Sequence, residues 1–248
     1  MSERDQPQTL ADDAVSAAVV PPGSGERFSG YGVMGIPFTS GHYLALRHMT
    51  ASSIGPSYRA VWHRNPAGQW TVYADAPPEV SCARFLGSAL TATYTSQIGL
   101  EWSGPRSLTV QVPGVLNWQF DISADFATRT MSSIGARLPT GACHSRWLLR
   151  SMSAIAGPFL SVGKVRLLGL MPNGQTFGAI PRRVWRIERS RAEMRGTDLG
   201  KPGPLPYQER LGDFMLPQRG IFFADGALVF GATTEGIPIV SMSQQPAG

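Results

Sequence analysis

One β-hairpin constrains the fold of this chain more than any other segment. Two runs of strand-forming residues, Tyr58–Arg64 and Gln69–Asp75, are separated by the four residues Asn65-Pro66-Ala67-Gly68. Pro66 presets φ at the second position of the turn, and Gly68 tolerates the positive φ that the fourth position requires. The turn therefore fixes the antiparallel register of the whole hairpin.

That register sorts the hairpin side chains onto two faces, because successive strand residues point in opposite directions. One face places Trp62 opposite Val72 and is predicted to pack against a core. The other face is polar and aromatic, and it carries Arg59, Val61, His63, Thr71, Tyr73 and Asp75. We expect this second face to form a site only if it points into a cavity. On an outer surface it is a solvated strand face with an Arg59–Asp75 cross-strand pair.

If the polar face points inward, its residues suit general acid/base chemistry. His63 is then the predicted acid/base catalyst, and Tyr73 is the predicted hydrogen-bond donor to a ligand oxygen. Arg59 and Asp75 form the predicted orienting ion pair, which inside a protein needs further hydrogen bonds. The remaining predicted ligand-binding residues are His42, His48 and Trp62.

The composition favours many short strands. The 248 residues include 28 Gly and 20 Pro, which break helices and populate turns. Short hairpin turns imply antiparallel pairing, and closure of the sheet removes its exposed edges. We therefore predict a mainly β protein with a single antiparallel β-barrel and a two-helix insertion around 124–156. Two packed antiparallel sheets are the alternative.

The domain organisation follows from composition along the chain. Residues 1–27 are polar and Pro/Gly-punctuated, which predicts a disordered N-terminal tail. Residues 28–240 are predicted to form the single barrel domain, and residues 241–248 a flexible C-terminus.

Cofactor and metal signals are weak. Gly30-Tyr31-Gly32-Val33-Met34-Gly35 has the spacing of a dinucleotide-binding turn, but Pro37 opposes the helix that such a turn must precede. A glycine loop over a pocket mouth is the preferred interpretation. His42 and His48 are six strand residues apart, on the order of 20 Å, and so do not share a metal ion. We predict neither a cofactor nor a metal site.

Two other features suggest alternative functions. The segment 182–195 is rich in Arg in a chain of net charge +5, which suggests a non-catalytic interaction protein with an acidic partner. Strand alternation splits those arginines between two faces, so nucleic acid is not a predicted partner. Lys164 follows Ser161 in a Ser-x-x-Lys spacing. If it is desolvated, it could act as the Schiff-base lysine of a decarboxylase or aldolase.

The sequence also bears on location. Cys82 and Cys143 match no metal or redox spacing, and the first residues lack the apolar core of a secretory signal. No stretch approaches the ~20 apolar residues of a membrane helix. The prediction is a cytoplasmic protein without a membrane span.

Three segments carry a family resemblance. Gly30–Gly35, Ser57–Arg64 and Pro172–Gln175 resemble an uncharacterised group of bacterial proteins over most of residues 28–230. The general pattern is also similar to lipocalin-like (calycin-type) barrels, including relatives of the carotenoid hydratases. This resemblance implies a barrel architecture and transfers no functional residue.

Together these features predict a protein that encloses a small, largely apolar molecule in a barrel cavity. It would bind the molecule, or convert it without a redox cofactor, as an isomerase, cyclase or hydratase does. Its oligomeric state is left open.

Overall fold

The computed structural model describes residues 5–138 and 145–233, and it is mainly β. The helices are α1 (Pro7–Ser16), α2 (Ala83–Leu86), α3 (Phe126–Ala136) and α4 (Arg146–Leu160), with short 3-10 turns at Pro78–Val80 and Gly87–Ala89. The first eight strands are β1 (Glu26–Pro37), β2 (Tyr43–Ser52), β3 (Tyr58–Arg64), β4 (Trp70–Ala74), β5 (Leu90–Thr95), β6 (Gly99–Gly104), β7 (Ser107–Val112) and β8 (Leu116–Ser123). The remaining strands are β9 (Leu168–Leu170), β10 (Gln175–Met194), β11 (Thr197–Asp198), β12 (Arg210–Leu211), β13 (Phe214–Met215) and β14 (Ile221–Thr233).

Twelve of these strands form one mixed sheet. Its main path runs β5-β4-β3-β2-β1-β14-β10-β8-β7-β6, with β9 and β11 paired to β10, while β12 and β13 form a separate ribbon. The predicted closed antiparallel barrel is not found, because β5 and β6 end the path and no pairing joins them in the described chain. β5 also pairs with β4 in parallel. The reason is the long connection 75–89, which returns the chain to the same end of the sheet.

The hairpin that the sequence specifies is confirmed in register. In the β3–β4 hairpin, Trp62 lies opposite Val72 and His63 lies opposite Thr71. Gly68 has φ of 83° and donates its N–H to the Asn65 carbonyl at 2.9 Å. Local turn chemistry was therefore sufficient to fix these pairings.

The strands β2, β3 and β4 lie between two hydrophobic cores. The first core receives one face of these strands and is completed by β6, β7, β8 and one end of β10 and β14. The second core receives the opposite face and is completed by α2, the β12–β13 ribbon and the other end of β10 and β14. Both faces of the hairpin are consequently buried, whereas the sequence patterning predicts one core face and one polar face.

The helices agree with the sequence in part. The predicted two-helix insertion is present as α3 and α4, with Asp125 and Ser145 as their N-caps. The 1–27 segment differs from the predicted disordered tail, because residues 7–16 form α1 and β1 already begins at Glu26. Ala11 of α1 is fully buried against the first core, so tertiary contact orders a segment of weak intrinsic preference. The predicted flexible residues 241–248 lie outside the described chain.

The glycine motif 30–35 lies inside β1 and not in a loop. A side chain at Gly30 would collide with the His48 carbonyl, and one at Gly32 would collide with the Leu46 carbonyl. The register of β1 against its neighbours shifts at Gly30/Gly32 and again near Gly35. These glycines therefore allow close strand approach at two β-bulges.

Candidate functional site

The predicted site residues do not form one group. Some lie at opposite ends of the first core, and Trp62 lies in the second core. His42 and His63 lie together at one end, where the His42 Nδ1 and His63 Nε2 atoms are 2.9 Å apart. His48 and Arg59 are cross-strand neighbours toward the other end. Trp62 points to the opposite face and into the second core.

Burial lowers the pKa values of His42, His48 and His63 in this fold. Burial lowers the pKa of His63 to about 4, and the charges of His42 and Arg195 lower it further. Burial and the nearby Arg59 likewise lower the pKa of His48 to about 4. Neutral imidazoles suit these buried positions, but such low pKa values are unfavourable for the acid/base role predicted for His63.

The expected Arg59–Asp75 ion pair is replaced by another contact. The Asp75 carboxylate accepts a hydrogen bond from the Arg59 backbone N–H at 2.6 Å, and the Arg59 guanidinium donates to the Ile98 carbonyl at 2.9 Å. No ion pair joins the two side chains, because the Asp75 carboxylate turns back to the end of the β3 backbone. Tyr73 stacks on Tyr94 with ring centroids 5.4 Å apart.

The second core contains a site that the sequence analysis did not assign. Arg47 is only 3% exposed, and its guanidinium lies 4.3 Å from the Trp62 ring centroid. No ion pair to Arg47 occurs in residues 5–138 and 145–233, although eight other arginines in these ranges do form ion pairs. Arg47 thus brings a buried positive charge into an apolar environment without a carboxylate partner.

A β-bulge provides the contacts that hold Arg47. Nη1 donates to the carbonyls of Val33 and Leu46, and Nη2 donates to the carbonyl of Met34 at 3.3 Å. The register of β1 against β2 shifts between Val33 and Ile36, so the Val33 and Met34 carbonyls lie at a bulge, whereas Leu46 is the residue before Arg47 in β2. The bulge therefore orients the guanidinium with backbone dipoles, and it supplies no formal negative charge.

The neighbours of Arg47 are neutral at physiological pH. Burial raises the pKa of the Cys82 thiol to about 11 and raises the pKa of Tyr58 well above its ordinary value. Burial lowers the pKa of Arg47 to about 10, so the guanidinium remains charged. Cys82 also accepts a hydrogen bond from the Trp62 indole N–H at 2.9 Å. The site carries one uncompensated positive charge.

A small cavity adjoins this charge. Its volume is about 30 Å³, enough for one water molecule in this packing. Besides Arg47, Tyr58, Trp62 and Cys82, its wall is apolar and includes Phe28, Met49, Phe85, Met171, Phe214 and Phe230. Phe85 belongs to the four-residue α2 and Phe214 to the two-residue β13. The shortest elements of the fold therefore form part of the cover over the cavity.

The sequence did contain a signal for Arg47. The strand Tyr43–Met49 is apolar on both faces except at Arg47 and His48, so a charge in its middle is necessarily buried if both faces are covered. Only the second core reveals that both faces are covered. For this reason the predicted site was placed on the hairpin and did not include Arg47.

The basic segment 182–195 is not a free cationic surface. Five of its arginines pair with aspartates, four of which lie far away in the sequence: Arg182–Asp225, Arg183–Asp5, Arg186–Asp125, Arg189–Asp121 and the local pair Arg191–Asp198. These carboxylates offset most of the charge that suggested an acidic partner. The pairs form across neighbouring strands and loops, which the linear sequence does not reveal.

Lys164 is exposed, and its backbone N–H and carbonyl bond to the Gln208 side chain at 2.8 and 2.7 Å. The desolvation that the Schiff-base interpretation requires is therefore missing at this lysine. His144 and Cys143 fall outside the described residues. Within 5–138 and 145–233, no group of three or more His, Cys, Asp or Glu side chains could hold a metal ion.

Comparisons with known proteins add little to this geometry. No protein-family model and no curated protein matches the chain. Among solved structures, it is similar to an acetoacetate decarboxylase from Legionella pneumophila subsp. pneumophila str. Philadelphia 1. The two share 9% identity over 86% of this chain and 87% of that chain, with a TM-score of 0.40. A likeness at this level assigns no function. None of the helices in the described chain has the length and apolar character needed to cross a membrane.

Proposed function

We propose that this protein binds a small, largely apolar molecule that carries one anionic group. The anionic group pairs with the Arg47 guanidinium, and the apolar body lies among the aromatic and aliphatic side chains of the second core. The observation that supports the proposal is that the buried Arg47 guanidinium lies beside an apolar cavity and has no carboxylate partner in the described chain. The proposal keeps the apolar ligand class that the sequence predicts, and it moves the site to the opposite face of the hairpin.

The physical argument rests on the cost of a buried charge. A buried ion is expensive unless it is paired and hydrogen-bonded. The hydrogen bonds found for Arg47 use Nη1 twice and Nη2 once. Nε–H and the second N–H of Nη2 are left for a ligand, and together they match the two oxygens of a carboxylate.

The apolar wall defines the rest of the ligand. Phe28, Phe85 and Phe230 pack edge-to-face or stacked against one another beside the cavity. A flat aromatic or short aliphatic body fits such an environment. Because the closed cavity holds only about one water molecule, entry requires the cover to move. The short α2 and β13 are the elements best suited to such local opening.

The chemistry at this site favours binding over acid/base catalysis. The thiol of Cys82 and the hydroxyl of Tyr58 both hold their protons at neutral pH, because burial raises their pKa values. A thiol with a pKa of about 11 is a poor nucleophile under those conditions. The residues therefore recognise a ligand and do not supply a proton transfer group near pH 7.

A thermal-unfolding titration with benzoate and hexanoate tests the proposal, with benzamide and hexanamide as uncharged controls. At a concentration about 100-fold above Kd, a ligand of the folded state adds about 2.7 kcal/mol of stability. We expect the carboxylates to raise Tm and the amides to leave it unchanged. Arg47→Met should abolish the carboxylate effect, and Arg59→Gln on the other face should preserve it. Equal shifts with acids and amides would overturn the proposal.

A second readout does not depend on whether Arg47→Met folds. In a Cys143→Ser background, Cys82 is the single thiol, and it reacts with a thiol reagent only when the cover opens. Benzoate should slow this reaction and benzamide should not. An unchanged labelling rate with every carboxylate, together with an unchanged Tm, would mean that Arg47 serves only to hold the bulge.

A further inference from the structure

The outer side of helices α3 and α4 exposes large apolar residues. Phe126 and Ile134 of α3 are 80% and 48% exposed, and Trp147 and Ile155 of α4 are 78% and 60% exposed. Phe159 adds a fifth side chain at 38%. We call these five residues the two-helix face. Soluble proteins seldom cluster exposed aromatic residues without an interaction to account for them.

The two-helix face is not a displaced part of the core. Ser132 of α3 hydrogen-bonds to the backbone of Val184 in β10, at 2.9 and 3.0 Å. Leu149 and Met152 of α4 are buried in a cluster with Ile180 and Val229. Each helix therefore already buries one side against the sheet, and the exposed apolar residues occupy the other side.

Every charged residue within the two helices is an arginine. No Asp or Glu occurs between Asp125 and Glu188, a stretch that contains both helices. Four arginines on or beside the helices are exposed: Arg129, Arg137, Arg146 and Arg150. None of them takes part in an ion pair within the described residues, in contrast to the arginines of β10. Arg129 and Arg137, on and beside α3, thus place uncompensated positive charge next to the exposed apolar side chains, whereas Arg146 and Arg150 line the cleft between α4 and β9.

We propose that the two-helix face docks the protein onto an anionic membrane surface. Trp147, Phe126 and Ile155 enter the interface between headgroups and acyl chains, where aromatic side chains are favoured. Arg129 and Arg137 contact the negatively charged lipid headgroups. Both helices lie flat on the surface in this arrangement, which does not require either of them to span the bilayer. The proposal is independent of the Arg47 pocket.

Charge complementarity favours an anionic lipid surface over a second copy of this chain. A symmetric dimer through the two-helix face would bring Arg129 and Arg137 of both copies together, and Asp125, at the start of α3, already pairs with Arg186. Like charges held together in an interface are unfavourable. An anionic bilayer satisfies both the charge and the exposed apolar side chains.

Vesicle flotation tests the proposal directly. The full chain is mixed with vesicles of phosphatidylcholine alone, or of phosphatidylcholine with about 30% phosphatidylserine. We expect flotation only with the second composition, and weaker binding as NaCl rises from about 0.05 M to about 0.5 M. Trp147 is an exposed tryptophan, so binding should also shift its emission to shorter wavelength.

Matched variants separate the contribution of the arginines to membrane binding from that of the exposed aromatic side chain. Arg129→Gln with Arg137→Gln should weaken binding about 25-fold, at about fivefold for each charge removed. Trp147→Ala should weaken it about tenfold and remove the emission shift. Tyr207→Ala and Arg106→Gln, which change an exposed aromatic and an exposed arginine elsewhere, should leave binding unchanged.

Four results would overturn the proposal. The first is equal flotation, or none, with both vesicle compositions. The second is anionic-vesicle binding that the helix variants and the controls affect equally. The third is the absence of vesicle binding together with a dimer that Trp147→Ala dissociates, which would assign the face to a second copy. Binding to a single-stranded oligonucleotide in place of vesicles would also contradict it.

Discussion

Arg47 and His48 are adjacent in β2, and their side chains enter different cores. Arg47 faces the second core and stays charged, because the bulge carbonyls and the Trp62 ring surround its guanidinium. His48 faces the first core, 4.9 Å from the Tyr31 ring centroid, and its Nδ1 has no hydrogen-bond partner in the described chain. Arg47 therefore keeps its charge in the second core, whereas burial in the first core keeps the adjacent His48 neutral.

The suppressed protonation of His48 and His63 predicts acid sensitivity. Both have a pKa of about 4 in the fold, against about 6.5 when unfolded. Between those values the unfolded chain binds more protons, so stability falls as pH decreases from about 6.5 to about 4. Each histidine should lower the free energy of unfolding by roughly 2.5 kcal/mol at pH ~4.5. Urea unfolding at several pH values measures this loss.

Non-titrating variants identify the source of the acid sensitivity. His48→Asn should remove about half of the histidine-dependent loss of stability below pH ~6.5, because His63 still titrates, whatever the substitution does to stability at pH ~8. Thr93→His adds a histidine at an exposed position and should leave the profile unchanged. If the slope of the His48→Asn profile equals that of the original chain, the lowered pKa of His48 does not govern its acid response.

At the scale of elements, α1 shows how tertiary contact overrides composition. The segment 7–16 is short and polar, and an isolated helix of this length is marginal in water. Its one fully buried residue, Ala11, packs with the first core, and the Gln8 N–H donates to the Pro105 carbonyl at 3.3 Å. Contact with the end of the sheet orders the helix.

A substitution on α1 tests whether this docking contributes to stability. Ala11→Asp would bury an unpaired carboxyl group and should lower the free energy of unfolding by about 3 kcal/mol. Ala18→Asp, at an exposed position beyond the helix, should change it by no more than about 0.5 kcal/mol. Chemical denaturation measures both values. Similar, small effects of the two variants would mean that α1 contributes nothing to the stability of the sheet.

At the scale of the whole molecule, the sheet has a protected centre and a weakly protected edge. β2 is buried over nearly its whole length, because cores lie on both of its sides. β5 ends the strand path and is largely exposed. The long strands β10 and β14 run through both cores and connect them. Cooperative stability should therefore be highest around β1, β2 and β14.

Amide hydrogen exchange should reproduce this gradient. Amides of Leu44–His48 are expected to exchange only through global unfolding, and those of Thr91–Thr95 through local opening with a much smaller free energy. Mass spectrometry of peptic fragments distinguishes the two regimes. Exchange of the β5 amides as slow as that of the β2 amides would show that the sheet is effectively closed at this edge.

The sequence by itself determined the local structure of this protein. Turn chemistry fixed the register of the hairpin at 65–68, and the two-helix insertion expected around 124–156 is present as α3 and α4. These features depend on contacts between residues close together in the chain, which propensity and patterning describe well.

Only the tertiary structure decided where the charges and faces of those elements lie. It buried both sides of the β3–β4 hairpin, divided the predicted His-Tyr-Arg-Asp group, and paired the arginines of β10 with distant aspartates. It also enclosed Arg47 without a carboxylate partner in the described chain. The physical reason is that burial and ion pairing depend on segments that meet far apart in the sequence, and alternation along one strand cannot specify what covers each of its faces.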